Sequence, residues 1–174
     1  MLETDFYILA IDPGNKESAF VLLDRDLRPL DKGKVKNEDL RSCVACSLDL
    51  HKTDEQACVH LAIEMIASYG MAVGADVFET CVWIGRFIEQ LSSLPQILPA
   101  WMVYRKSEKT YLCGSPRATD TNIIQALVDR FAPGQPNHGK GTKKDPGWFY
   151  GFKKDIWQAY AVGVTFYDMR AERS

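Results

Sequence analysis

The chain has 174 residues, 46% of them hydrophobic, and a formal net charge of −2. That size and apolar share suit one domain over residues 1–174 with a substantial core. No run of about 18 apolar residues is present to span a membrane, and the N-terminus lacks the basic-then-apolar layout of a secretion signal, so the protein reads as cytoplasmic.

In chain order, residues 5–12 read as a strand ending at Asp12, and 18–23 as a second after the turn Pro13-Gly14-Asn15-Lys16. Residues 28–36 form a third, interrupted by Gly33, and the short connections predict an antiparallel meander. The pattern over 37–50 is helical, with Asn37 as N-cap. Residues 58–64 make a strand ending at Glu64. Residues 76–94 form an amphipathic helix with Val77, Cys81, Ile84, Phe87, Ile88 and Leu91 near helical spacing. A fifth strand covers 101–104, and helices cover 107–112 and 119–131, the latter capped by Thr119 or Asp120 and stopped at Pro133-Gly134. A Gly-, Pro- and Lys-rich loop follows over 133–151, then a final apolar helix over 155–169. This order describes an α/β fold, a mixed five-stranded sheet flanked by helices. Its first and fourth strands must be neighbours for Asp12 and Glu64 to meet.

The five cysteines read as free thiols rather than a disulfide framework. Cys43 and Cys46 fall in a helical pattern with Leu40, Val44 and Leu48, where a spacing of three marks one buried face instead of a zinc site with Cys58 and His60.

Asp12 closes the apolar run Phe6-Tyr7-Ile8-Leu9-Ala10-Ile11, and Pro13-Gly14 forces an immediate turn, so its carboxylate is held at a sheet end. Glu64 ends the apolar segment Val59-His60-Leu61-Ala62-Ile63, and Asp155 begins the last helix. Acids from two strands and one helix are what magnesium-dependent phosphoryl transfer requires. A bridging carboxylate sits between ions ~3.5–4 Å apart, and further acids complete each oxygen shell. Asp12 is the natural bridge, with Glu64 and Asp155 holding one ion each, and acids packed this closely should raise at least one pKa. Each acid alone also fits a turn residue, a surface acid or a helix N-terminal charge.

Ile8-Leu9-Ala10-Ile11-Asp12-Pro13-Gly14 resembles the first motif of RuvC-type Holliday junction resolvases, which are RNase H-like nucleases. Ala62-Ile63-Glu64 resembles their second motif, and Asp155-x-x-Gln158-Ala159-x-Ala161 their last. The likeness runs through nearly the whole chain in element order, and looks closest to phage or prophage members. It implies an RNase H-like fold and an endonuclease using Mg2+, with Mn2+ as the other candidate. It further implies catalytic Asp12, Glu64 and Asp155, and a metal site that also takes in Gln158. The family's final pair usually ends in Asp, so the neutral Gln158 is a departure that weakens the second ion's hold. The implied substrate is branched DNA, above all the four-way junction, cut by a homodimer.

Residues 101–154 carry ten Lys/Arg against four acids, a local excess of +6 that leaves −8 for the remainder. Such a basic segment fits a protein that grips phosphates, an ordinary solvated surface being the alternative. Lys140, Lys143, Lys144, Lys153 and Lys154 flank Asp155, so a backbone entering the site would meet several cations. Lys109 and Arg117 fall where such enzymes carry basic residues. Tyr69, in the loop after Glu64, lies where the resemblance places a loop reaching the junction centre. Trp148, Phe149 and Tyr150 would either stack on an opened base or anchor their loop to the core. On helix 76–94, Phe78, Trp83 and Phe87 exceed what one sheet face needs, and the excess suits a dimer seam.

Three other readings remain open on the sequence. One is a related nuclease acting on flaps or RNA–DNA hybrids. Another is a junction-binding protein that does not cut, favoured by Gln158. The third, an actin-like phosphotransferase, needs a second lobe and an Asp-Gly phosphate loop that this chain lacks.

Overall fold

The computed structural model describes residues 6–173; Asp5, placed by the apolar pattern at the start of the first strand, lies outside them. Strand β1 (Phe6–Asp12) is covered on both faces, which is why its interior is continuously apolar. β2 (Glu17–Leu23) returns antiparallel beside it, and β3 (Pro29–Lys36) antiparallel beside β2. After α1 (Leu40–His51), β4 (Cys58–Met65) enters on the other side of β1 and runs parallel to it. After α2 (Ala75–Ser92), the short β5 (Trp101–Tyr104) pairs parallel with β4. The sheet order is β3-β2-β1-β4-β5, so the first and fourth strands are neighbours. Helices α3 (Arg105–Cys113), α4 (Asp120–Phe131) and α5 (Lys154–Ala171) follow.

Alternation along the strands sorts the core into two layers. Ile8, Ala10, Val21, Ala62 and Val103 pack with Ile123 and Leu127 of α4 and the apolar length of α5. Leu9, Ile11, Phe20, Leu61 and Ile63 pack with Leu40 and Val44 of α1 and Ile84, Phe87 and Leu91 of α2. Helix α5 lies close on the sheet because Gly163 faces it. A Cβ there would stand 2.7 Å from Leu23 Cδ1 and 3.1 Å from Ala10 Cβ. Arg130 of α4 grips Asp168 of α5 through two hydrogen bonds, 2.7 and 3.0 Å long.

Several expectations shift in detail. Asn37 is not an N-cap: it is buried in a 3-10 turn (Asn37–Asp39) ahead of α1, and its side chain bonds to the β1–β2 turn. Cys46 is exposed, so the Cys43–Cys46 spacing does not mark one buried face; all five cysteines are free. Helix α3 begins at Arg105, two residues earlier than the pattern suggested, directly off β5. Thr119 caps α4 in a capping box with Asn122. Among the described residues no helix is long and apolar enough to cross a membrane.

The 133–151 loop is more ordered than its composition suggests. It contains a 3-10 turn (Asn137–Gly139) and a bridge between Gly141 and Pro146 that presents Lys143 and Lys144 on a small hairpin. Its aromatics are mainly anchors. Phe149 is buried against Trp157 at 4.5 Å between centroids, and Trp148 stacks on Phe131 at 5.3 Å. Only Tyr150 of the three is exposed. Trp148 Nε1 donates to Tyr160 Oη (3.0 Å), which donates to the Leu27 carbonyl (3.0 Å). Tyr160→Phe leaves both of those partners short of a bond, so we expect a loss of about 1–3 kcal/mol. Urea unfolding of the variant measures it, as a lower midpoint at unchanged slope.

Candidate active site

The site starts from strand register. Asp12 pairs with Ala19 of β2, Ala19 pairs with Lys34 of β3, and Glu64 pairs with Val103 of β5. Asp12 and Glu64 lie one step beyond the Ile11–Ile63 pair of the β1–β4 ladder. Lys34, Ala19, Asp12, Glu64 and Val103 thus form one row across the sheet, on the face covered by α5. The N-terminus of α5 brings Asp155 to that row, where Lys34 Nζ bonds Asp155 Oδ2 at 2.6 Å.

The turn after Asp12 is locked from beneath. The Gly14 amide donates to Ser18 Oγ (3.1 Å), and Ser18 Oγ donates to Asn37 Oδ1 (2.6 Å). Asn37 Nδ2 then donates back to the Gly14 carbonyl (2.9 Å), closing the ring. A Cβ at position 14 would collide with the Glu17 carbonyl oxygen, so glycine is required there. Asn15 Nδ2 donates to Asp76 Oδ1 at 3.0 Å, tying the same turn to the first turn of α2.

A fourth acid stands here that no motif in the sequence singles out. Glu108 of α3 is fully buried, and its Oε2 accepts from Arg105 Nη1 at 2.7 Å. Arg105 also pairs with Asp120. The electrostatics are those of crowded carboxyls. Burial, then the charge of Glu64 and a hydrogen bond with it, then Asp155, push Asp12 up to about 8 against the pull of Arg105. Burial and Glu64 push Glu108 up in the same way, opposed by Arg105. Asp155 in turn holds the Lys34 ammonium above its ordinary range.

Among the described residues, no three His, Cys, Asp or Glu side chains stand so as to hold one ion as they lie. Each acid has an internal partner instead: Asp12 and Glu64 each other, Asp155 Lys34, and Glu108 Arg105. The available donors are nevertheless all oxygen, which suits Mg2+ or Mn2+ and not a thiol-seeking metal. Gln158, one turn beyond Asp155, also has a buried Oε1 without a hydrogen-bond partner.

The basic residues separate into groups. Lys153 and Lys154 are exposed and adjoin Asp155 in the chain, and Lys109 follows Glu108 on α3. Lys140 is half-buried in the loop leading to α5, with Lys143 and Lys144 on its hairpin, while Arg117 is exposed between α3 and α4. Tyr69 is 62% exposed with a left-handed backbone (φ 47°), next to Gly70 (φ 82°) in the loop after β4. On α2, Phe87 is buried on the sheet, whereas Phe78 is 63% and Val82 56% exposed.

This combination, a mixed β3-β2-β1-β4-β5 sheet between two helical layers with acids at the ends of β1 and β4, is the RNase H-like fold in its RuvC form. A Thermus thermophilus RuvC structure matches with a TM-score of 0.59 at 14% identity, over 95% of this chain and 97% of that one. T. thermophilus RuvC in complex with Holliday junction substrate matches with a TM-score of 0.63 at 13% identity, over 95% of this chain and 96% of that one. At such identity the likeness is one of fold. No protein-family model and no curated protein matches the sequence.

Proposed function

We propose that the chain is a divalent-metal-dependent endonuclease acting on branched DNA, Holliday junctions foremost, as a homodimer. The observation that carries this reading is the convergence of Asp12, Glu64 and Asp155 on one sheet row, in a fold shared with a RuvC bound to its junction. Asp12, Glu64 and Asp155 would hold Mg2+ or Mn2+, with the Gln158 amide oxygen as a neutral donor. When bound, such ions supply the Lewis acidity that phosphodiester hydrolysis needs.

The chain's own residues do the positioning. Asp12 is fixed by the sheet and by the Gly14–Ser18–Asn37 ring, and Glu64 by the β1–β4 ladder. Lys34 holds the Asp155 carboxylate at the row, where it would be at hand for an ion. Lys153 and Lys154 meet the backbone beside the acids, and Lys109, Arg117, Lys140, Lys143 and Lys144 extend the contact along it. Tyr69 stands exposed on the loop after Glu64, where a ring can reach bases at a branch point. The exposed Phe78 and Val82 offer α2 as the seam between protomers.

The test is cleavage of a labelled mobile four-way junction in Mg2+ or Mn2+, beside linear duplex and flap controls. Paired symmetric nicks on the junction alone are expected. Tight binding without nicks would overturn the enzyme reading and leave a junction-binding protein, the outcome that the neutral Gln158 favours. The hairpin lysines give a second expected result. Lys143→Ala with Lys144→Ala should weaken junction and duplex binding alike. The slope of log affinity against log salt should become shallower by about 2, since each phosphate contact contributes roughly 0.9.

A further inference from the structure

Glu108 is buried more deeply than any other acid of the site, with 0% of its surface exposed. Its Oε2 is held by Arg105, while its Oε1 is buried with no hydrogen-bond partner. A carboxylate kept only to anchor an arginine commonly offers both oxygens to donors, and Arg105 already has Asp120 as a second acid. Helix α3 leaves β5 two residues after Val103, the partner of Glu64 in the sheet, and Glu64 and Asp12 both act on the Glu108 carboxyl, so Glu108 stands close to the acids of the row. A second oxygen without a partner, Gln158 Oε1, comes from α5 on the same face of the sheet. Two buried oxygens without hydrogen-bond partners, one on a carboxyl that Glu64 and Asp12 act on and the other one helical turn beyond Asp155, suit a hard cation, which takes six or more oxygen ligands, better than they suit a packed core.

We infer that Glu108 is a further metal-holding residue of this site, supplying from α3 the negative charge that neutral Gln158 does not supply from α5. Arg105 keeps one of its oxygens fixed and leaves the other for the ion. The inference rests on reading the site as a metal centre, and the experiment separates the two.

Binding of Mn2+ alone is measured by calorimetry and by the loss of the free-ion electron paramagnetic resonance signal, without DNA. The wild type is compared with Glu108→Gln, Asp12→Asn and Asp120→Asn, each checked for folding by circular dichroism. Glu108→Gln is expected to weaken Mn2+ binding at least tenfold or to remove one ion, while Asp120→Asn, which loosens only Arg105, changes affinity less than twofold. Unchanged affinity in folded Glu108→Gln, or an equal loss in Asp120→Asn, would overturn the inference and leave Glu108 as a clamp on Arg105. Should Glu108→Gln not fold, Glu108→Asp keeps the charge but withdraws it by one methylene. A fivefold or greater loss is then expected, and none would overturn the inference. If Asp12→Asn also leaves Mn2+ binding intact, the metal-centre reading itself fails. If Asp12→Asn abolishes binding and the Glu108 variants do not alter it, only the role of Glu108 fails.

Discussion

Asp12→Asn is expected to lower metal-dependent junction cleavage by at least about 10³-fold, equivalent to ~4 kcal/mol of lost transition-state stabilisation. Single-turnover cleavage measures it, and a variant that cuts within tenfold of wild type would remove Asp12 from the chemistry. The same substitution should stabilise the protein in chelator at alkaline pH. Asp12 is pushed from an ordinary 3.8 up to about 8 by burial and by Glu64. The folded protein therefore keeps a proton that the unfolded chain releases near pH 4. Stability from this group is complete below pH 4 and is lost as pH rises through about 8, as the ionised carboxylate is forced to sit beside Glu64. Melting curves without metal should show wild type losing several degrees between pH 5 and 9. Asp12→Asn should lose less, and the two should converge near pH 4.

Asn37→Ala is expected to be the most damaging change outside the acids. It opens the ring that joins Gly14, Ser18 and Asn37, leaving the buried Ser18 hydroxyl without its acceptor and the Gly14 carbonyl without the Asn37 donor. Losing those bonds in a buried setting should cost about 2–4 kcal/mol. For a domain of this size that lowers Tm by roughly 5–15 °C. Cleavage per folded molecule should fall as well, because the turn that aims Asp12 is no longer held. Asn37→Asp separates packing from hydrogen bonding. It keeps the acceptor for Ser18 but not the donor to Gly14, so it should fall between wild type and Ala. A Tm within 2 °C of wild type for Asn37→Ala would show that the ring does not hold the turn.

The sheet and its two acids were legible because period and punctuation agreed there. Apolar runs of strand length ending in Asp12-Pro13-Gly14 and in Glu64 read as buried strands whose last residues reach the sheet end. Glu108 was hidden for a physical reason. An acid near the start of a short polar helix has a ready explanation in the helix dipole. Only the true start of α3, at Arg105 and directly off β5, turns that acid inward beneath its own arginine. Asn37 is masked for a similar reason: an Asn before a helix usually caps it, and nothing local shows that the β1–β2 turn needs its amide. The aromatic run Trp148-Phe149-Tyr150 left open whether it stacked on DNA or packed inside. Tyr160, twelve residues on, decides that, and long-range partners of this kind leave no mark on periodicity. Lys34 carries no signal in the sequence because its pairing with Asp155 arises from sheet register, which no single segment displays.

The row running from Lys34 through Ala19, Asp12 and Glu64 to Val103 has a consequence for how the site can change. Neighbouring strands stand about 4.8 Å apart whatever their side chains, so the interval between Asp12 and Glu64 is a ruler cut in backbone hydrogen bonds. Glu108 and Asp155, by contrast, hang from helices that can slide by fractions of an ångström. Substitution in the helices can therefore retune the chemistry gradually. A slip of one residue between β1 and β4 would turn Glu64 into the opposite layer, among Leu9, Ile11 and Phe87, and erase the site in a single step.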